Sequence, residues 1–281
     1  MPSAVKNICW VGIVGCMISW AAGKIVPIGE YLSVIRHGGR ADGVAEPDLS
    51  QIGRDRTVIL KALSDDNIAV RVAAQELVSS SLLLLGGSAQ EDLRTAALEL
   101  TRQAYPLIKK AATSLDRNER LSAVRSIAVI SVLEPASTME PLLVAATDED
   151  VAVRDQAFRG ILVCVKAGIR HPMLMRKATD SLLIKPDRKG LESIGVRRNA
   201  IDLIVLLGRA EAVPRETVFA LVEVAKSGED PENSMAVWAL GELGPKAQDA
   251  ISSLEEMRRQ KTLRTDWNAE LQKAIEQIRA K

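Results

Sequence analysis

The chain has 281 residues, 47% of them hydrophobic and 26% charged, which is the make-up of a folded protein and excludes a disordered one. Its 37 basic residues against 36 acidic ones leave no global attraction to nucleic acid or anionic membrane. Aromatics are scarce at 3%, too few for stacking platforms, and Cys9, Cys16 and Cys164 form no CxxC and no zinc-like cluster.

The first element in chain order is an uncharged stretch from Ile8 to Gly23, set between Lys6 and Lys24. As a helix its sixteen residues reach about 24 Å, short of the ~30 Å hydrocarbon core of a bilayer. That length suits the apolar part of an export signal. Continued to Ile28, with Lys24 snorkelling, the same stretch makes a spanning anchor. Ile13-Val14-Gly15-Cys16 resembles the lipobox of bacterial lipoproteins, which implies cleavage and lipid attachment at Cys16. Ala21-Ala22-Gly23 offers a second cleavage point, and an apolar helix capping a cytosolic protein is the remaining reading. Residues 1–23 are therefore assigned to a signal peptide or membrane anchor, and 24–47 to a linker or N-terminal cap. The expected address is the cell envelope, periplasmic or membrane-anchored, with the cytoplasm as the alternative. Membrane contact is expected only through this segment.

From residue 48 onward one pattern recurs. It runs through "DDNIAVRVAAQEL" (65–77), "DRNERLSAVRSIAV" (116–129), "DEDVAVRDQAFRGIL" (148–162), "SIGVRRNAIDLIVLLG" (193–208) and "DPENSMAVWALGELG" (230–244). Aligned, these give Arg71, Arg120, Arg154 and Arg197, with Asn233 in the last, each followed three residues later by Ala74, Ala123, Ala157, Ala200 or Ala236. Asp65, Asp116, Asp148 and Asp230 are expected at helix starts, where a short acid accepts free backbone N–H groups. Apolar residues return at three- and four-residue steps, and the small alanine suits close helix approach. Partner helices are predicted in 56–64, 105–115, 139–147 and 216–228, and an extra one in 89–103. Gly244-Pro245 ends one helix and starts the next. No alternating strand pattern of useful length occurs.

On Asp150-Val151-Ala152-Val153-Arg154 with Ala157, and on "AVWALGELGPKAQDAISSL" (236–254), the chain resembles HEAT-repeat proteins of the short bacterial, phycobilisome-lyase-like type. The resemblance implies an all-α fold, a right-handed α-solenoid of stacked antiparallel helix pairs, with the repeat array at 48–260 and a C-terminal capping helix at 261–281. It also implies an extended curved surface that binds protein. Arg71, Arg120, Arg154 and Arg197 are read as structural repeat positions, since their register follows the fold.

Catalytic chemistry has little to stand on. The two histidines, His37 and His171, are read as a loop residue and a helix-start residue, and recurring His-Glu pairs for a helical-repeat metal enzyme are missing. No nucleophile elbow, P-loop or dinucleotide fingerprint occurs. No enzyme activity, cofactor or metal is expected. Local charge carries more: Arg176, Lys177, Lys185, Arg188, Lys189 and Arg198 lie in a basic stretch around the polar connection 184–193. This stretch is expected to meet an acidic protein partner, the alternative being a solvated ridge. The function expected is a non-enzymatic protein-binding scaffold. The alternative is an accessory or lyase-type subunit holding a small ligand in the concave face.

Overall fold

Short polar residues start the repeat helices. Asp116 Oδ1 accepts the backbone N–H of Glu119 at 2.9 Å, and Asp150 Oδ1 accepts those of Ala152 and Val153 at 3.0 and 3.2 Å. Asp65 and Asp148, expected as caps, stand two residues too early. Asn67 caps in place of Asp65, and Asp65 and Asp148 instead accept the N–H of Asn67 and Asp150 at 3.0 and 2.8 Å, shaping the turn before each helix. Asp230 lies outside the described residues. Asp150→Ala is expected to lower stability by about 1 kcal/mol in urea unfolding, the usual worth of such a cap.

The computed structural model describes residues 24–37, 45–184, 191–227, 231–259 and 265–280. In chain order the helices are α1 (Ile28–Arg36), α2 (Ile52–Ala62), α3 (Ile68–Leu85), α4 (Glu91–Ala111), α5 (Arg117–Ile130) and α6 (Pro135–Ala145). They continue with α7 (Val151–Lys166), α8 (Leu174–Leu183), α9 (Leu191–Gly208), α10 (Arg215–Ser227), α11 (Glu232–Leu243), α12 (Ile251–Arg259) and α13 (Thr265–Arg279). The two segments expected at 89–103 and 105–115 are one helix, α4, which carries Pro106 inside it. Proline removes the bond to the carbonyl four residues back, but Arg102 and Pro106 are both exposed, which leaves that turn of the helix on the solvent side. One feature had no signal in the sequence: β1 (Lys24–Val26) pairs in parallel with β2 (Ala45–Pro47), Lys24 opposite Ala45.

The odd-numbered helices stack one on the next from α1 to α13, and the even-numbered helices form a second layer. Within the odd layer every neighbouring pair is in close contact, whereas α4 and α6, and α6 and α8, barely touch. The stack therefore curves toward the odd layer, which is its inner face. The repeat alanines explain the close approach: Ala74, Ala123, Ala157, Ala200 and Ala236 are all fully buried. Gly160 goes further, since a Cβ there would lie 2.8 Å from Leu142 Cδ1 and 3.0 Å from Ala128 Cα. α13 lies on α11 through Leu271, Ala274, Ile275 and Ile278, and covers the C-terminal end of the stack. α1 covers the other end, burying Ile28, Tyr31, Leu32 and Ile35 against α2 and α3. Among the described residues α3 alone has the length and composition to cross a membrane, yet its Ala74 and Val78 are fully buried between neighbours.

Candidate functional site

The repeat arginines bond within the chain. Arg71 reaches across from α3 to Glu119 of α5, Nε to Oε1 at 2.5 Å and Nη2 to Oε2 at 2.8 Å. Its Nη1 donates to the carbonyls of Asp65 and Asp66, in the turn before its own helix. Arg120 repeats the arrangement, donating to Asp148 at 2.9 and 3.2 Å and to the carbonyls of Ser114 and Leu115. Arg197 donates to Glu232 at 2.8 Å and to the Ile184 carbonyl at 2.7 Å. The bonds from Arg71 hold the Glu119 carboxyl below the ordinary carboxylate range.

Arg154 departs from this series. It donates to the carbonyls of Asp148 and Glu149, but has no carboxylate partner among the described residues, and its Nε is buried and unbonded. Val196 stands where the neighbouring repeats carry Glu119 and Glu232. The α7–α9 junction uses Asp155 instead, which accepts from Asn199 Nδ2 at 2.8 Å and from Arg159 Nε at 2.9 Å.

With the arginines engaged, the inner face is left to the positions one and five residues after them. These are Val72 and Glu76, Leu121 and Arg125, Asp155 and Arg159, Arg198 and Asp202, and finally Ser234 and Trp238. Trp238 is 44% exposed, a large apolar surface on a mixed face. Burial raises the Asp202 carboxyl, with Arg198 and Lys166 opposing.

At the N-terminal end this face opens into a groove of about 580 Å³ between α1, α3 and α5. Its apolar walls include Ile35, Ile68, Val72 and Leu121, and its polar groups include Tyr31, Glu76, Ser122 and Arg125. Glu76 is open to solvent at its rim yet set within the concavity, and the loss of surrounding water raises its carboxyl, with Arg125 opposing. Tyr31 is only 8% exposed, and burial together with the charge of Glu76 pushes its phenol up to about 12. An apolar concavity with a few convergent polar groups is the usual form of a binding site.

The basic stretch is divided by the fold. Arg176 and Lys177 lie on α8 in the outer layer, and Arg198 lies on α9 in the inner layer. Arg176 stands 3.8 Å from Asp180, and Arg198 faces Asp202. Lys185, Arg188, Lys189 and Cys16 are outside the described residues. His37 ends α1 with Nδ1 2.7 Å from the Ser33 carbonyl, and His171 Nδ1 accepts the Met173 N–H at 3.2 Å. Cys164 is fully buried beside Thr138, and burial pushes its thiol up. Among the described residues no group of three or more His, Cys, Asp or Glu is placed to hold a metal ion.

Neither a family model nor a curated protein matches the chain. Two crystal structures of engineered proteins from the Northeast Structural Genomics Consortium are similar to it. One is 18% identical with a TM-score of 0.51, covering 80% of this chain and 96% of that one. The other is 16% identical with a TM-score of 0.53, covering 90% of this chain and 68% of that one. At such identities the likeness speaks for the fold alone. The chain is an all-α solenoid of helical repeats.

Proposed function

We propose that the chain is a non-enzymatic protein-binding scaffold of the HEAT-like type, exported to the cell envelope or tethered there by residues 1–23. The observation that supports this best is the inner-face groove, where Tyr31, Glu76 and Ser122 bond to no side chain among the described residues while the repeat arginines are bonded within the fold. Repeat arrays present extended curved surfaces of this kind to protein partners. The test is in-cell cross-linking of the full-length chain, followed by mapping of the cross-linked residues. A stoichiometric partner joined through Val72, Leu121 or Trp238 supports the reading. Cross-links confined to the outer layer, or to no protein at all, overturn it.

A second reading is an accessory subunit holding a small ligand, favoured by the groove volume, which falls in the 300–1,000 Å³ range typical of ligand pockets. Native mass spectrometry of the purified chain separates the two, because a held ligand adds mass that gel filtration does not remove. The basic stretch around residues 184–193 is a further partner surface in this proposal. Reversing Arg188 and Lys189 to glutamate is expected to reduce recovery of an acidic partner by at least tenfold, and unchanged recovery would remove that surface. Location is read from the mass of the N-terminal peptide in membrane and soluble fractions. A terminus lipidated at Cys16 or cut near Gly23 supports the envelope, and an intact terminus in the soluble fraction overturns it.

A further inference from the structure

The groove between α1, α3 and α5 differs from the rest of the inner face in what its polar groups are doing. Further along, Asp155 is matched by Arg159 and Asn199. In the groove, the Tyr31 hydroxyl and the Glu76 carboxylate make no hydrogen bond or ion pair with the described residues. Arg125 acts on Glu76 only at longer range, and the Ser122 hydroxyl is buried without a partner. Tyr31 is more than nine-tenths buried as a residue and lines the cavity beside Glu76, so its ring is fixed by packing and its hydroxyl is presented at the groove.

Charge and shape together narrow what fits. Two carboxylates, Glu76 and Asp116, line the groove against one guanidinium, Arg125. Asp116 is engaged as the cap of α5, which leaves Glu76 as the open acceptor. The walls beside it are aliphatic, and Ile68 is 38% exposed at the rim. A carboxylate at the mouth of a concavity, beside aliphatic walls and without a partner among the described residues, favours an incoming cation. A side chain with an apolar stem and a charged head meets both conditions, which a purely apolar residue or an acid does not.

We propose that this groove receives a lysine- or arginine-bearing segment of a partner protein, its stem along Ile68, Val72 and Leu121 and its charged head on Glu76 and Tyr31. Arg125, on the opposite wall, is placed to donate to a backbone carbonyl of the same segment. The proposal rests on the reading of the chain as a protein-binding scaffold.

The test is panning of the full-length chain against a phage-displayed random heptapeptide library, followed by anisotropy measurements on the enriched peptides. Enriched sequences should pair a lysine or arginine with aliphatic neighbours. Acetylating that lysine, or replacing that arginine by citrulline, should weaken binding by at least tenfold, as should Glu76→Gln. Tyr31→Phe, which removes one oxygen and leaves the packing, should weaken it by about threefold. Circular dichroism melts confirm that each variant folds. Enrichment of acidic or uncharged peptides overturns the proposal, as does binding indifferent to Glu76→Gln or enrichment of nothing. If a native partner still cross-links to the inner face in those cases, the scaffold reading stands and this assignment alone falls.

Discussion

Gly160→Val should lower the unfolding free energy by about 3 kcal/mol, at the upper end of overpacking losses. α7 crosses α5 and α6 at this glycine, where even a single Cβ would sit 3.0 Å from the Cα of Ala128. Leu142 can rotate its methyl groups away, but the backbone of α5 can move only by parting the stack. Gly160→Ala is the informative control. In a free helix that change gains about 1 kcal/mol, so a net loss at this position isolates the clash. Urea unfolding should show a lower midpoint with an unchanged slope. A Gly160→Val variant as stable as the parent would mean that α5 and α7 are farther apart than described.

Glu119→Ala should cost about 3 kcal/mol at neutral pH, since it leaves Arg71 without its carboxylate in a mostly buried junction. Glu119 is 4% exposed, and besides Arg71 it accepts from Ser114 Oγ at 2.6 Å. The pH dependence follows from the direction of its shift. A carboxyl held below its ordinary value of 4.5 stabilises the fold above that pH, and the contribution is lost as pH falls through the lower folded value. The difference between parent and variant should therefore be constant above about pH 4.5 and shrink below it. A difference that stays constant into the acid range would show that the ionised pair contributes nothing and that the loss is packing.

The repeat helices were legible because the pattern was written five times. An arginine followed three residues later by alanine marks the inner helices from α3 to α9, and the alanines are buried where that spacing places them. Cap register was less legible, because Asp65 and Asn67, or Asp148 and Asp150, are equally good acceptors two residues apart. Only the path of the turn decides between them. α4 reads as two segments, 89–103 and 105–115, and the exposure that lets the helix continue through Pro106 is a tertiary fact. The groove was half legible. Glu76 and Arg125 each lie five residues beyond a repeat arginine, so one helical projection would have put them on the inner face together. Tyr31 could not be found that way, since α1 precedes the first repeat and carries no trace of its pattern.

The seams between inner helices also determine how the array can change in length. α3 meets α5 through Arg71 with Glu119 and through a 2.6 Å bond between Ser79 and Ser126, whereas α7 meets α9 through Asp155 and Asn199. The α9–α11 seam repeats the arginine–glutamate pair of α3–α5 through Arg197 and Glu232, while the seams between them use Arg120 with Asp148 and Asp155 with Asn199. Excising one unit so that α7 followed α3 would offer Arg71 the Asp148 that now pairs with Arg120, but it would set Ser79 against Gly160 and remove the hydroxyl that Ser79 now meets. The units are thus spelled alike but are not interchangeable. Unlike an array of identical modules, this one would lose buried contacts such as Ser79 with Ser126 at a new join, so a gained or lost repeat costs stability until the facing residues change.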